Sequence, residues 1–342
     1  MSHRQGILEA LDEAGTAVSG QALASRFGIS RAAVWKHIEA LEAAGYEIER
    51  ARSKGYRLVS SPDRLSAEAL SGLLAGRRLG SNVVVLDVTR STNSDALALG
   101  REGAPEGSVV LAEAQTGGRG RLGRQWESAR GVNLYLSLLL RPPIVPAAAP
   151  QLSLVAGVAV AETLAAEGIA CRIKWPNDVV LGGEDDASGT GSVPLRKIAG
   201  ILTEIEAEAD RVSFVVVGIG VNVNSTGEHF SAALAGRATS FLLETGRRLD
   251  RTALAARLLS RMEGAYEAFL TQGFGALASR WRALSVLEGR TVEVGGVGGQ
   301  GQDVSRGTCI GIDSDGALLL EIAPGRVRRV LAGDVTVQGG YD

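Results

Sequence analysis

Residues 117–126, GGRGRLGRQW, have a G-x-G-x-x-G pattern at Gly118, Gly120 and Gly123. That spacing is typical of dinucleotide-binding folds, in which the glycine turn opens a helix and an acidic residue follows about 20 positions later. Here the strand-like segment GVNLYLSLLL follows instead, and no acidic residue lies between Glu127 and Glu162. The sequence therefore argues against a dinucleotide-dependent oxidoreductase.

Arginines alternate with these glycines, at Arg119, Arg121 and Arg124. Glycines let backbone N–H groups approach a ligand closely, and arginines add charge and bidentate hydrogen bonds to anions. We therefore interpret residues 117–126, the glycine–arginine loop, as a flexible loop that closes on an anionic ligand. An ordinary solvated surface loop is the alternative. A Walker-type phosphate loop is absent from the sequence.

Two further polar clusters accompany this loop. The first is RSTN, residues 90–93, which by itself is also explained as the N-cap of a helix over 92–101. The second is IKWPNDVV, residues 173–180, followed later by Lys197 at the start of KIAGILTE. Lys174 and Lys197 are two of only four lysines in the chain, and their position on either side of one loop favours anion binding.

The composition of the whole chain limits the other possibilities. Its 342 residues are 45% hydrophobic and 22% charged, as expected of a globular protein with two or three domains. Cys171 and Cys309 give neither a disulfide framework nor a zinc spacing. The N-terminus lacks the apolar run of a signal peptide, and prolines interrupt the apolar region 144–161. We therefore expect a cytoplasmic protein.

Residues 1–62 have the pattern of a winged helix-turn-helix domain. One helix is predicted near 3–14, a second after the N-cap Ser19, and a third, RAAVWKHIEALEAA, after the N-cap Ser30. Two short strands on either side of the basic turn ARSKG then form the wing.

The charges of this domain suit DNA, although the net charge of the chain is −2 and gives no overall basic field. No acidic residue occurs from Gly15 to Ile38. In winged helix-turn-helix proteins the recognition helix contacts bases and basic wing residues contact phosphates. The candidate DNA-binding residues are Ser30, Arg31, Lys36, His37, Arg52 and Lys54. A helical protein-interaction domain with a solvated basic face is the alternative.

After the linker-like SSPDRL, residues 60–65, the chain has two further parts. Residues 66–284 alternate helical and strand patterns, with several long strands in succession and one long helix predicted over 250–282. This pattern predicts an α+β fold with a mixed sheet. Residues 285–342 are nearly all β, with tight turns such as DSDG, and predict a small C-terminal β-barrel.

Together these motifs resemble a biotin–protein ligase. The matching stretches are GRGRLGRQW, STN, KWPNDV, RKIAGIL and GIGVNVN, in an order and spacing that match over essentially the whole chain. With its N-terminal domain, the chain is similar to the bifunctional bacterial ligases that also repress biotin synthesis genes. The resemblance implies a class II synthetase-like catalytic domain over 66–284 and an SH3-like barrel over 285–342.

The resemblance further implies a two-step reaction with biotin, ATP and Mg²⁺. Biotin and ATP give biotinyl-5′-adenylate and pyrophosphate, and a lysine of the biotin carboxyl carrier protein of acetyl-CoA carboxylase then attacks the adenylate. It also implies operator DNA as a partner and a homodimer when the adenylate is bound. A biotin-responsive regulator without ligase activity, and a ligase for another small carboxylic acid such as lipoate, are the alternative hypotheses.

Site residues are assigned by match to the resembled family. Biotin would be bound by Ser91, Thr92, Asn93, Gln115, Gly118, Arg119, Arg121 and Lys197. The nucleotide would be bound by Arg119, Arg121, Arg124, Trp126, Lys174, Asn177, Asp178 and Asn222. Lys197, Arg121 and Lys174 would stabilise charge in the transition state. Asp178 would contact the adenylate or Mg²⁺, or would instead help to deprotonate or orient the incoming lysine. The segment 183–194 is longer than the family pattern, and we expect it to be a lengthened hairpin that leaves Lys197 in place.

Overall fold

The computed structural model describes residues 3–43, 45–51, 54–60, 63–183, 193–295 and 304–337. They belong to two compact units, Met1–Asp63 and Arg64–Asp342.

The first unit is a three-helix domain with a two-stranded hairpin. Its elements are α1 (His3–Ala14), α2 (Gly20–Phe27), α3 (Arg31–Ala43), β1 (Glu47–Ala51) and β2 (Gly55–Ser60). Ser19 and Ser30 cap α2 and α3 as predicted, since their hydroxyls accept from Ala22 N–H (3.0 Å) and Ala33 N–H (3.1 Å). Apolar residues from all three helices form a separate small core that includes Ile7, Leu23 and Ile38. The helix-turn-helix with a wing is thereby confirmed.

The second unit is built on a sheet of seven strands. These are β3 (Asn82–Leu86), β4 (Ser108–Ala112), β5 (Leu134–Leu140), β6 (Arg172–Lys174), β7 (Asp178–Leu181), β8 (Arg196–Ala207) and β9 (Val212–Val221). Their spatial order is β3–β4–β5–β9–β8–β7–β6. Strands β3 and β4 pair in parallel and the other neighbours pair antiparallel, so the predicted mixed sheet and α+β fold are confirmed.

Helices cover both faces of this sheet. They are α4 (Ala67–Leu73), α5 (Thr92–Arg101), α6 (Gln151–Ala166), α7 (Phe241–Thr245), α8 (Arg251–Gln272) and α9 (Gly275–Leu284). Side chains alternate along the strands, so Val109 and Leu111 of β4 enter the large core with α6 and α8, whereas Val110 packs in a small core with Ala96 of α5. The segment Pro146–Ala166 has the length and hydropathy of a membrane span, but 67% of its most apolar window is buried. Packing in the core accounts for that hydropathy.

Two local predictions differ from the structure. The helix predicted over 250–282 is broken into α8 and α9, because Gly273 ends α8 with a φ of 72°. Strand β7 begins inside the motif KWPNDV, where the sequence analysis did not predict a separate strand. It pairs with β8, with Val180 opposite Lys197. The antiparallel pairing of β7 with β8 is the arrangement expected for a lengthened hairpin, although residues 184–192 lie outside the described part of the chain.

The C-terminal part is a five-stranded antiparallel sheet in the order β13–β12–β11–β10–β14. Its strands are β10 (Thr291–Gly295), β11 (Ser305–Ile312), β12 (Leu318–Ala323), β13 (Arg326–Val330) and β14 (Asp334–Val337). Val292, Cys309 and Leu320 from this sheet join the same hydrophobic core as the central strands. The SH3-like closure of this sheet and the boundary at 284/285 stay predictions.

Candidate functional site

Nearly all of the predicted ligand-binding side chains line one cleft in the second unit. Its lining comes from the N-terminus of α5, the glycine–arginine loop, the turn between β6 and β7, strands β8 and β9, and the start of β14. The predicted residues that line it are Ser91, Thr92, Asn93, Gln115, Arg119, Arg121, Arg124, Trp126, Lys174, Asn177, Asp178, Lys197 and Asn222. Stretches separated by more than 100 residues in the sequence therefore meet at one place.

The glycine–arginine loop is a short hairpin, not the start of a helix. Gly120 N–H donates to Arg124 C=O (2.7 Å) and Trp126 N–H donates to Gly118 C=O (3.0 Å). Leu122 at the tip has φ 55°, a left-handed conformation that is unfavourable for leucine. Gly118 does not line the cleft. It belongs to the hairpin itself, where a Cβ would stand 2.5 Å from Trp126 C=O.

The polar end of the cleft is a network around Thr92. The N–H and hydroxyl of Thr92 both donate to Gln115 Oε1, at 2.9 and 3.2 Å, and the Gln115 amide donates to Ser128 Oγ at 2.9 Å. Ser91 occupies the N-cap position of α5, yet its hydroxyl makes no capping hydrogen bond. The N-cap explanation of this motif therefore does not account for the Ser91 side chain, which lies at the cleft.

The arginines of the loop are matched by acids from distant parts of the chain. Arg124 lies 2.6 Å from Asp334 Oδ2, and Arg121 lies 3.6 Å from Asp334 Oδ1. Arg121 also donates to Asn177 Oδ1 (3.2 Å). Arg119 pairs with Glu204 at 2.9 Å. These contacts hold the hairpin against the cleft.

Both predicted lysines face the same space. Lys197 Nζ lies 2.6 Å from Asp178 Oδ1 and 5.3 Å from the centre of the Trp126 ring. Lys174 is buried, with 7% of its surface exposed. Burial lowers the pKa of the Lys174 ammonium, and the Asp178 carboxylate acts in the opposite direction. An anionic ligand would favour the charged form of Lys174.

The floor of the cleft accommodates the Trp126 ring because two strand residues lack side chains. A Cβ on Gly220 would lie 2.6 Å from this ring, and a Cβ on Gly200 would lie 3.0 Å from it. The indole Nε1 of Trp126 is buried without a hydrogen-bond partner among the described residues. Nearby, Asn222 is buried and its Oδ1 lies 3.4 Å from the Asn133 amide.

Several lining residues had no signal in the sequence analysis. Asp334, Val335 and Thr336 come from β14, and Phe230 and Leu234 come from the segment after β9. Glu127, at the end of the hairpin, accepts from Ser231 N–H at 3.0 Å and joins the hairpin to the segment after β9. No local pattern marks such residues, because they reach the cleft only through the packing of parts of the chain that are distant in sequence.

A cation at this site would need oxygen ligands. Among the described residues, no group of three or more acidic, histidine or cysteine side chains could hold a metal ion. Asp178 is the carboxylate predicted for Mg²⁺, and it is already paired with Lys197. Mg²⁺ is commonly held by one or two carboxylates together with substrate phosphates. Asp178 fits that kind of site, in which the phosphates supply most of the ligands.

In the first unit, the predicted DNA-binding residues lie on α3 and the wing. Ser30, Arg31, Lys36 and Lys54 are exposed, and His37 is partly exposed; Arg52 lies outside the described residues. Arg50 and Arg57 of the wing are instead paired with Glu42 and Glu49. Arg31, Lys36 and Lys54 make no ion pair with any residue that the structure describes, so their charges face solvent.

Comparison with known proteins agrees with both units. Residues 85–222 match the biotin/lipoate A/B protein ligase family, and residues 3–57 match an HTH domain family. The bifunctional ligase/repressor BirA of Bacillus spizizenii is 38% identical over 97% of this chain and 98% of its own length. The corresponding protein of Escherichia coli is 37% identical over 94% of this chain and 92% of its own. A biotin protein ligase from Aquifex aeolicus, solved in complex with biotin and ATP, superposes with a TM-score of 0.61 at 27% identity, covering 75% of this chain and 98% of that one.

Proposed function

Because the chain belongs to the bifunctional ligase/repressor family of these relatives, we propose that it is a biotin–protein ligase and a repressor. It activates biotin with ATP to biotinyl-5′-AMP and transfers the biotinyl group to a lysine of a biotin carboxyl carrier protein. Its N-terminal unit binds operator DNA. The observation that carries the ligase proposal is the meeting of Lys174, Lys197 and the loop arginines around one cleft.

In the first step, a carboxylate oxygen of biotin attacks the α-phosphorus of ATP and pyrophosphate leaves. Both reactants are anions, so their approach needs positive charge placed beforehand in a site with little water. Lys197 and Lys174 supply ammonium groups, and Arg121 and Arg124 supply guanidinium groups. Lys197 is assigned to the biotin carboxylate and the α-phosphate, and Lys174 and Arg124 to the remaining phosphates.

In the second step, the amine of the carrier lysine attacks the acyl carbon of the adenylate. An amide forms, AMP leaves with the bonding electron pair of the C–O bond, and the amine loses a proton. The substrates react once they are positioned, without a protein nucleophile. Closure of the glycine–arginine loop protects the mixed anhydride from water between the two steps. Mg²⁺ would neutralise the phosphates, with Asp178 as its protein ligand.

Specificity for biotin rests on the network around Thr92. The ureido head of biotin is neutral and has both donors and acceptors, which Ser91, Thr92 and Gln115 can match. A site that hydrogen-bonds such a head rejects a substrate without one, because its buried polar groups would then lack partners. Lipoate has no ureido group, so this network favours biotin over the lipoate alternative.

The ligase proposal is tested by incubating the purified chain with ATP, Mg²⁺, biotin and a biotin-carrier domain. We expect biotin on the carrier lysine and biotin-dependent exchange between ATP and pyrophosphate. Lipoate in place of biotin is the matched control and should give no labelling. Absence of both labelling and exchange would contradict the biotin ligase activity. Labelling by lipoate would then support the lipoate alternative, and no labelling by either acid would support the biotin-responsive regulator.

The repressor activity rests on the exposed cations of α3. Replacing both Arg31 and Lys36 with glutamine should weaken operator binding about tenfold, and lower the salt slope of log K by about 2, since two cations are removed from the surface that faces the DNA. Fluorescence anisotropy over a range of salt concentrations measures both quantities. Arg26→Gln is the control, because Arg26 is already paired with Glu13. An unchanged salt slope in the double variant would contradict the assigned surface.

The remaining assignments complete this proposal. The chain acts in the cytoplasm, and it forms a homodimer on operator DNA when the adenylate is bound. Its three functional parts are the DNA-binding domain 1–62, the catalytic domain 66–284 and the C-terminal domain 285–342. The position of Asp334 and Thr336 in the cleft supports a contribution of the C-terminal domain to catalysis.

A further inference from the structure

We propose that Glu204 is a positioning residue that holds the glycine–arginine loop closed through Arg119. This inference rests on the proposed ligase function and adds a residue to it. Glu204 lies on β8, seven positions after Lys197, and was not among the predicted site residues. It touches neither substrate nor the reacting atoms in this proposal, and it acts on the loop alone.

Arg119 makes two contacts that fasten the hairpin to the rest of the second unit. Its Nη2 donates to Glu204 Oε2 at 2.9 Å and to Ser94 Oγ at 3.2 Å. Glu204 belongs to β8 and Ser94 to α5, so one guanidinium joins the loop to a strand and a helix. The side chains of Arg119 and Glu204 are 45% and 24% exposed, so solvent screens this ion pair in part, and its anchoring role depends also on the hydrogen bond to Ser94.

Glu204 is itself held in a defined position by a buried amide. Asn93 Nδ2 donates to Glu204 Oε2 at 2.7 Å and to Leu202 C=O at 3.2 Å. On its other side, Asn93 Oδ1 accepts from Ser137 Oγ at 2.6 Å. Asn93 is 4% exposed, so this arrangement is set by packing and not by solvent. Glu204 therefore presents a fixed acceptor to which Arg119 returns each time the loop closes.

This geometry separates the roles of the loop arginines. The charge of Arg119 is matched by Glu204 within the protein, whereas Arg121 and Arg124 share Asp334 at the nucleotide end. A guanidinium with a carboxylate of its own gives little additional attraction to a ligand, whereas two guanidiniums that share one carboxylate keep a net positive charge. Arg119 therefore anchors the loop through its side chain, and Arg121 and Arg124 are the arginines that meet the phosphates.

The first test measures loop closure without any ligand. Trypsin cleaves after Arg121 and Arg124 only when the loop opens, so the rate of cleavage reports the open population. Glu204→Gln keeps an oxygen acceptor for Asn93 but removes the charge that binds Arg119. We expect cleavage at these two sites to become about tenfold faster, the size typical of losing a hydrogen bond to a charged group.

The second test measures retention of the adenylate. Glu204→Gln should release biotinyl-5′-AMP about tenfold faster, while the single-turnover rate of its formation changes less than threefold. Arg119→Gln should speed tryptic cleavage and adenylate release to the same extent, and the double variant should be no worse than either single variant, because both substitutions remove the same ion pair. A merely structural role for Glu204 would lower the melting temperature and the rate of formation together.

Glu206→Gln is the matched control, because Glu206 lies on the same strand and pairs at 2.8 Å with Arg101, away from the loop. It should leave both tryptic cleavage and adenylate release unchanged. The inference is overturned if cleavage and release in Glu204→Gln stay within twofold of the parent, or if the two substitutions add. Failure of the parent protein to form adenylate would instead refute the ligase function, whatever the cleavage rates show.

Discussion

Replacing Lys197 with methionine should lower the rate of adenylate formation by about 10²- to 10³-fold, the effect of removing one preorganised charge from a transition state. Biotin binding should weaken much less, by about tenfold at most. The physical reason is that negative charge builds up on the α-phosphate as the biotin carboxylate attacks. A methionine keeps the length and the apolar stem of the lysine and removes only the ammonium.

The surroundings of Lys197 support a direct role in charge stabilisation. Its ammonium is held between Asp178, at 2.6 Å, and the face of the Trp126 ring, at 5.3 Å. The segment 237–239 also fixes its backbone, since Lys197 N–H donates to Arg237 C=O at 2.8 Å and Lys197 C=O accepts from Thr239 N–H at 2.9 Å. The ammonium is thus placed before substrates arrive.

Isothermal titration calorimetry gives the biotin affinity, and biotin-dependent ATP–pyrophosphate exchange gives the rate of adenylate formation. Arg196→Met is the control, because Arg196 is the adjacent cation on β8 and pairs with Glu244, outside the cleft lining. Equal losses of biotin binding and exchange in Lys197→Met would show that the lysine serves binding and not the chemical step.

Replacing Gly218 with alanine should weaken biotin binding on the order of thirtyfold and lower the free energy of unfolding by about 2 kcal/mol. Gly218 lies on β9 in the lining of the cleft, directly beside Asn93. A Cβ at this position would stand 2.0 Å from Asn93 Oδ1, which real contacts do not allow. Asn93 would have to move, and its hydrogen bonds to Ser137 and Glu204 would be lost with it.

Calorimetry with biotin and chemical denaturation measure the two effects of Gly218→Ala. Gly157→Ala is the control, since its Cβ would meet Ile173 at an ordinary 3.7 Å inside α6. That variant should be as stable as the parent or slightly more so, because alanine is a better helix former than glycine. If biotin binding in Gly218→Ala equals that of the parent, the position of Asn93 has no part in biotin recognition.

The N-terminal unit was predictable from sequence because its structure is local. Serine caps, apolar residues at helical spacing and a glycine at the turn act within a few residues of each other. Gly28 shows this directly, since it ends α2 with a φ of 66°, a conformation that glycine adopts without strain. Hence the structure has both predicted caps and the predicted wing.

The central site was predictable in part. Motif residues such as Thr92, Lys174 and Lys197 could be named from the family resemblance, and the structure brings them to one cleft. The acidic residues that pair with the loop arginines could not be identified from the sequence. Asp334 is 210 residues from Arg124, and Glu204 is 85 residues from Arg119, so no window of sequence contains both partners. The role of each site residue in binding and catalysis stays a prediction until it is measured.

The anion-binding chemistry of the site and the α+β class of the fold could both be predicted from the sequence. The strand that follows the glycine–arginine loop argued against a dinucleotide-binding fold. The arginines that alternate with glycines, and the two lysines near one turn, indicated a loop that closes on an anionic ligand. The pairing of each acid with its arginine became visible only in the folded chain. This pairing leaves a net positive charge for the ligand at Arg121 and Arg124, which share Asp334. The physical reason is that ion pairing depends on distance in space, and only the assembled sheets bring Glu204 and Asp334 within reach of the loop.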